Sequence, residues 1–419
     1  MKKIITLLVL CIFMLLPGHV QAASFEVDET VFEGLNATGV IVAQTDSGEI
    51  LYQTGADVKV WPASTTKLLT AMIVLDRCRL DDMVTVNASA INSVSWEYVK
   101  AGIYAGEQFT VEQLLSVMLT VSANDVANVL AEHVAGSVSA FAELMNARAA
   151  ELGCTASHFV NPSGIHNTDH YSTARDMLKI GNAAAGYSKI LEITSRPTSS
   201  LPATSKSGER LYKSTIQIIN TASANYCDLC VGGKTGFTNQ ANNCLVAFSR
   251  QGNTAFTVVI MNEKSGSSST KFAYAKKVFE YLHGCLVNKK LADAGAVCEQ
   301  IRIKGGTRKT RDINAVYGAD VSMLINLPEK EVEKNIQYDE TIKAPVTAGQ
   351  QIGKITFTRH DKVIEVPLLA DRDVEKSYFW LILIGGMFAL MALFVITVLI
   401  LRTIYRHNRR KKKHARKQA

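Results

Sequence analysis

Hydrophobic and polar residues fall into distinct patterns along the chain, and each pattern predicts an element. Thr38-Gly39-Val40-Ile41-Val42-Ala43-Gln44, the turn residues Thr45-Asp46-Ser47-Gly48 and then Glu49-Ile50-Leu51-Tyr52 read as a β-hairpin. Proline and small residues lead into the apolar run Leu68 to Leu75, the signature of a buried helix that starts near Pro62. Val84–Val86 and Gln108–Val111 read as short β pieces around a polar loop. Leu114, Leu115, Met118 and Leu119 share one helical face, and Val126, Val129, Leu130 and Val134 define a second periodic helix after Asn124. Asn161-Pro162-Ser163-Gly164 is a turn, and Thr173 opens another helix with a capping pattern. The Ser/Thr-rich stretch Thr194 to Thr204 reads as a loop. Cys244–Phe248 and Phe256–Met261 are strand-like, and an amphipathic helix over Lys271–Leu286 follows, with Ser268 and its neighbours as capping residues. Helices around an antiparallel sheet built from both ends of this segment give an α+β class. From about Val297 short alternating strands take over, including Ile352–Phe357 paired across a turn with Val363–Val366, which indicates a small all-β domain.

The two ends carry a different pattern. Lys2-Lys3, the apolar run Ile4–Leu16 and the small-residue site Val20-Gln21-Ala22 make a secretory signal peptide over 1–22, with cleavage expected after Ala22 or Ala23. Tyr378 to Leu401 is a run of 24 residues without a charge. At ~1.5 Å per residue such a helix spans ~36 Å, more than a ~30 Å hydrocarbon core, so 378–401 is expected to cross a membrane and to meet lipid directly. Tyr378-Phe379-Trp380 form its interfacial start. The tail 402–419 carries nine Lys/Arg and no acid, which predicts a cytoplasmic tail on a single-pass cell-membrane protein with its body outside.

Composition changes this picture little until charge is redistributed. Of 419 residues, 47% are hydrophobic and 20% charged, with a formal net charge of +7. Removing the tail and Lys2-Lys3 leaves about −4 on the translocated portion, so nucleic acid is excluded as a natural partner. Cys11 lies in the signal segment, and the seven further cysteines are an odd number in a chain that is not small, which argues against a disulfide scaffold. Cys227-x-x-Cys230 lacks a second Cys/His pair at metal-site spacing, leaving plain thiols or a local bridge. No cofactor or nucleotide motif is present and no metal site is expected.

Candidate chemistry centres on Trp61-Pro62-Ala63-Ser64-Thr65-Thr66-Lys67. Three residues are close to one helical turn, so the Lys67 amine is expected beside the Ser64 hydroxyl at a helix start. A serine next to a proton-accepting amine is an activated nucleophile, and free amide N–H groups at a helix N-terminus stabilise oxyanion charge. The spacing alone is common: Ser268-x-x-Lys271 repeats it ahead of another helix.

Two more stretches narrow the reading. Ser64-x-x-Lys67, Ser122-Ala123-Asn124 and Lys234-Thr235-Gly236, in that order, resemble the three signatures of penicillin-interacting serine enzymes. The flanks Pro62-Ala63, Asp125, Phe159-Val160-Asn161-Pro162-x-Gly164, His170-x-Ser172-Thr173-Ala174 and Gly233 through Thr238 are similar to those of the low-molecular-mass D-alanyl-D-alanine carboxypeptidases. The resemblance covers roughly residues 30 to 285 and implies a penicillin-binding, β-lactamase-like transpeptidase fold over 23–287, the small β-rich domain over 288–375, and the C-terminal anchor. It implies Ser64, Lys67 and Ser122 as catalytic residues and Asn124, Lys234, Thr235, Gly236 and Phe237 as the substrate-binding set. Lys67 would take the Ser64 proton, its pKa lowered by burial and by Lys234; Ser122 would relay a proton to the leaving amine; Lys234 and Thr235 would hold a substrate carboxylate; and the backbone N–H groups of Ser64 and Phe237 would form the oxyanion hole. The implied reaction removes the terminal D-alanine of peptidoglycan stem pentapeptides through an acyl-enzyme, with β-lactams as covalent inhibitors.

The sequence departs from the family in places. Ile219-Asn220-Thr221-Ala222-Ser223-Ala224-Asn225 does not reproduce an Asn-x-Asn-x-Leu-like segment, and Asn242 stands where Ala-Gly-x-Cys would place glycine. Ser223-Ala224-Asn225, Lys206-Ser207-Gly208 and Lys264-Ser265-Gly266 repeat the signatures without their flanks. A β-lactamase-type hydrolase and a non-catalytic membrane-tethered peptidoglycan binder are the alternatives; the Glu-x-x-Leu-Asn deacylation segment of class A lactamases is absent, and a pure binder has no need of an amine beside a serine.

Overall fold

A computed structural model of the chain describes residues 29–32, 34–327, 332–359 and 362–418. The signal segment 1–22 lies outside the described residues. The chain divides into two compact units, one of 23–289 with 324–329 and one of 290–323 with 330–419.

The first unit is organised on a five-stranded antiparallel sheet ordered β2-β1-β9-β8-β7. Its strands are β1 (Ala37–Gln44), β2 (Ile50–Thr54), β7 (Cys230–Thr238), β8 (Asn242–Gln251) and β9 (Thr254–Glu263). The expected hairpin forms, with Val42 opposite Tyr52. Side chains alternate across a strand, and both faces of this sheet are covered. Ile41, Val246, Val259 and Met261 face a core shared with α1 (Lys67–Arg77), α3 (Val111–Thr120), α4 (Asn124–Ala135), α5 (Val138–Glu151), α6 (Ala174–Ala185) and α7 (Ser188–Thr194). Val40, Val42, Leu245, Val258 and Ile260 face Phe272, Val278, Phe279 and Leu282 of α8 (Thr270–Cys285). Two buried faces explain why β1 reads as a continuous apolar run, and each of those large side chains contributes about 1.5–3 kcal/mol by leaving water. β7 is the terminal strand and pairs only with β8 among the described residues.

Around this frame sit a short helix α2 (Ala88–Asn92) and two small hairpins, β3 (Met83–Thr85) with β4 (Gln108–Thr110) and β5 (Thr198–Leu201) with β6 (Arg210–Lys213). The second hairpin corrects the reading of Thr194–Thr204 as loop. Pro197 and Pro202 flank β5 instead of interrupting it, and the partner that makes it a strand, Arg210–Lys213, lies beyond the reach of local pattern. Thr173 caps α6 as expected, accepting from the Asp176 N–H at 3.1 Å. The cap position of α8 is Ser269 and its side chain makes no capping bond, so the role expected of Ser268 is not observed.

The second unit holds another five-stranded sheet, ordered β11-β12-β16-β15-β14. These are β11 (Val297–Arg302), β12 (Asp312–Tyr317), β14 (Glu333–Tyr338), β15 (Gln351–Arg359) and β16 (Lys362–Ala370). Ile355 lies opposite Val366, as the hairpin pattern required. The chain passes between the units within β10 (Leu286–Ala292) and β13 (Val321–Asn326). Helix α9 (Phe379–Gln418) begins where the aromatic run predicted, and its apolar side chains from Phe379 to Leu401, Val398 apart, are exposed. It is long and apolar enough to cross a membrane by length and composition.

Candidate active site

Ser64 does not sit in the α-helix itself, as the sequence suggested, but in a tight 3₁₀ turn, Ala63–Thr66, that feeds into α1 at Lys67. The cause is at Ala63, whose φ of 47° re-aims the chain just before the nucleophile. Two close approaches hold that turn. A Cβ on Gly164 would lie 1.9 Å from the Ala63 carbonyl oxygen, and a Cβ on Gly236 would lie 3.0 Å from the Ser64 nitrogen. Only glycine lets the Asn161–Gly164 turn and strand β7 come this near.

Helix α1 is buried from Lys67 to Val74, so the lysine at its first turn has no route to solvent. Its Nζ lies 2.9 Å from Ser64 Oγ, 2.8 Å from Asn124 Oδ1 and 2.6 Å from the Ser163 carbonyl oxygen. Burial first, and then the charge of Lys234, hold the Lys67 pKa well below the usual lysine range; Asp125 opposes this. A neutral amine has two N–H bonds and one lone pair. In that neutral form, with the N–H groups donated to Asn124 and Ser163, the lone pair would be turned to the Ser64 hydroxyl.

Between α3 and α4, Ser122 takes a φ of 68°, a left-handed conformation that costs a non-glycine residue about 1–3 kcal/mol and marks functional sites. Its hydroxyl accepts from Lys234 Nζ at 2.9 Å, which also donates to the Thr235 carbonyl at 3.0 Å. Lys234 is fully buried in β7, and burial pushes its pKa down to about 7. Thr235 Oγ1 is 2.8 Å from Thr215 Oγ1. Asn124 Nδ2 donates to the Val99 carbonyl at 3.0 Å, leaving its second N–H uncommitted among the described contacts. Phe237 is 62% exposed beside this group. The sequence-predicted set is therefore brought together: Ser64, Lys67 and Asn124 in one hydrogen-bonded group, Ser122, Lys234 and Thr235 in the other, joined through α4 and the Gly236 contact.

Three supports were given no role by sequence reasoning. The Ser163 carbonyl belongs to a turn the pattern did flag. Asp125 accepts from the Ala101 N–H and so fixes the loop that presents Val99. His170, one of the family flanks, is 1% exposed; its Nδ1 accepts from the Val160 N–H, so Nε2 carries the proton and donates to Thr66 Oγ1 at 2.9 Å. Burial, with the charges of His158, Lys67 and His166, pushes its pKa to about 3, and it stays neutral.

The motif repeats do not assemble. Lys271 turns to Asn243 Oδ1 and the Ser268 carbonyl, both at 2.8 Å, and not to the Ser268 hydroxyl. Asn242, the departure from glycine, has φ 50° and bonds Asn262, itself at φ 55°, at 2.8 Å. Asparagine tolerates the left-handed conformation, so the turn into β8 is kept without glycine.

The sequence profile described as D-alanyl-D-alanine carboxypeptidase matches residues 26–265, and that of the penicillin-binding protein 5 C-terminal domain matches 287–376. Among curated proteins, D-alanyl-D-alanine carboxypeptidase DacF of Bacillus subtilis is 24% identical over 387 residues, 90% of this chain and 96% of the relative. D-alanyl-D-alanine carboxypeptidase DacB2 of Mycobacterium tuberculosis is 34% identical over 53% of this chain and 73% of its own length. Penicillin binding protein 5 from Haemophilus influenzae superposes with a TM-score of 0.69 at 25% identity, covering 82% of this chain and 98% of that one. With the profile spanning more than half its length, this chain belongs to the D-alanyl-D-alanine carboxypeptidase family, peptidase S11.

Proposed function

We propose that Ser64 and Lys67 carry the chemistry of this chain, a penicillin-sensitive serine D-alanyl-D-alanine carboxypeptidase of cell-wall metabolism. The observation that carries this reading is the buried Lys67, its Nζ 2.9 Å from Ser64 Oγ and its other partners the acceptors Asn124 Oδ1 and the Ser163 carbonyl. Ser64 Oγ attacks the carbonyl carbon of the D-Ala-D-Ala bond as its proton passes to Lys67. The oxyanion is met by the backbone N–H groups of Ser64 and Phe237. The C–N bond breaks, Ser122 relays the proton held by Lys67 to the leaving amine, which restores the neutral Lys67, and D-alanine departs. Water then cleaves the ester on Ser64, releasing the shortened stem peptide. Asn124 holds a substrate amide, and Lys234 with Thr235 holds the terminal carboxylate; Gly236 keeps β7 close enough for both.

Helix α9 fits a membrane anchor. We extend this to a topology in which the domains over 23–287 and 288–375 lie outside the cytoplasmic membrane and the basic tail 402–419 inside, beside the anionic leaflet. This puts the site where peptidoglycan stem peptides are.

Incubating the full-length chain in detergent with a peptide ending in D-Ala-D-Ala is expected to release D-alanine, and fluorescent penicillin is expected to leave a persistent adduct. Absence of both would refute the reading, and rapid turnover of penicillin would point to a β-lactamase instead.

The depressed pKa of Lys234 gives a signed pH dependence. Because its folded value is about 7 and not the usual 10.5, the ammonium is lost as pH rises through about 7. For a peptide with a free carboxylate, kcat/KM is expected to fall above that pH, whereas an amidated peptide should lack this limb. Parallel profiles for the two peptides would remove Lys234 from the carboxylate site.

A further inference from the structure

Away from the catalytic cleft, Cys78, Asp82 and His133 bring one ligand atom each to within 4.8 Å of one another, the one such trio of His, Cys or acidic side chains among the described residues. We propose that this trio is a binding site for a zinc-class divalent transition metal, with water in the fourth position.

The donor set is a thiol, a carboxylate and an imidazole, the mixture that suits zinc in preference to calcium or magnesium. Cys78 is a free thiol that would bind as the thiolate, giving its proton to solvent. Bonds of ~2.0–2.3 Å to a tetrahedral ion put ligand atoms ~3.3–3.8 Å apart, so the trio needs a closure of about 1 Å. His133 is exposed and has room to supply it. Asp82 is already oriented: its Oδ2 accepts from the Arg79 N–H at 2.8 Å, leaving Oδ1 for the ion. The Arg79 guanidinium does not compete, being paired with Asp81 at 3.1 Å.

The position of the site gives it a purpose. Cys78 closes the C-terminus of α1, its N–H bonded to the Val74 carbonyl at 2.9 Å, and His133 lies in the last turn of α4. Both helix ends present carbonyl oxygens and partial negative charge, which favours a cation. The opposite ends of the same two helices carry Lys67 and Asn124, bonded to each other at 2.8 Å. Two helices running side by side are thus pinned at the catalytic end by a hydrogen bond and, at the other end ~16 Å away, by the metal. The ion is a clip on the scaffold of the site and takes no part in acyl transfer.

The test is a cobalt(II) titration of the reduced full-length chain in detergent, read by thiolate-to-metal charge transfer and by the intensity of the visible bands. The parent is expected to bind one ion with a tetrahedral spectrum, and zinc is expected to displace it and raise the thermal midpoint. Cys78→Ser should lose the charge-transfer band, and His133→Asn should weaken binding by more than the ~10–100-fold typical of an outer-shell change. His133 is on the surface, so its variant keeps the test valid should Cys78→Ser fold poorly. A variant lacking Cys227 and Cys230 should bind cobalt as the parent does. Loss of the band in that variant, its persistence in Cys78→Ser, unchanged affinity in His133→Asn, or no band in the parent would each overturn the proposal.

Discussion

Ser64→Ala is expected to abolish penicillin labelling and to cut D-alanine release by about 10⁴–10⁶-fold, and Lys67→Ala is expected to fall to nearly the same floor. The two residues act as one unit, so the double variant should be no worse than either alone. The reason is geometric. Lys67 Nζ is the basic group within hydrogen-bond reach of Ser64 Oγ, at 2.9 Å, and its other contacts are the acceptors Asn124 Oδ1 and the Ser163 carbonyl. Lys67→Arg separates two roles that alanine confounds. Arginine fills the site with a long basic side chain but remains protonated, so it offers no lone pair to the hydroxyl. If Lys67 serves as the base, Lys67→Arg is as inactive as Lys67→Ala. The measurement is the rate of fluorescent-penicillin labelling, with the thermal midpoint as a check on folding. Labelling of Lys67→Arg near the parent rate, or of Ser64→Ala at all, would sink the assignment.

Gly164→Ala is expected to cost about 2–5 kcal/mol of stability and to eliminate labelling at a position that contributes no side chain to the chemistry. Gly164 has φ 79°, and an added Cβ would lie 1.9 Å from the Ala63 oxygen, 2.4 Å from the Ala63 carbonyl carbon and 2.9 Å from Thr66 Oγ1. Neither backbone can yield without moving the 3₁₀ turn that aims Ser64 or the Ser163 carbonyl that holds Lys67. Gly48→Ala is the matched control: φ is 71° there, but no atom lies within 4 Å of the added Cβ. It should show the conformational strain alone, about 1–2 kcal/mol, and label normally. Equal melting and labelling of the two variants would mean that the close approach at Gly164 does not hold the turn.

What could be read from the chain depended on the range of the interactions involved. The Ser64–Lys67 pair was legible because both residues sit on adjoining turns, and the Ser122 and Lys234 stretches because their flanks accompany them. The uninterrupted apolar runs of β8 and β9 announced strands because both faces of the sheet are covered. The 3₁₀ form of the Ser64 turn was not legible, since it is imposed by Gly164 and Gly236 from elsewhere in the sequence. For the same reason β5 was read as a loop, its partner being β6, and His170 was quoted as a flank without a role, since the Val160 and Thr66 contacts that fix its proton come from elsewhere in the chain. Asn242 looked like a defect in sequence and is a glycine substitute in three dimensions, because a rare φ can be met by asparagine as well. The Cys78, Asp82 and His133 trio is invisible to spacing rules, which look for paired ligands close in sequence, whereas here two helix ends and the turn before β3 supply them.

The place of β7 at the rim of its sheet has a further consequence. A terminal strand keeps one row of amides and carbonyls available, and an extended chain laid along it would be held by main-chain bonds. Those groups are the same in every stem peptide, whatever its third amino acid. Discrimination would then rest on how the ligand ends, at Lys234 and Thr235, and one enzyme could trim chemically varied walls without a separate pocket for each.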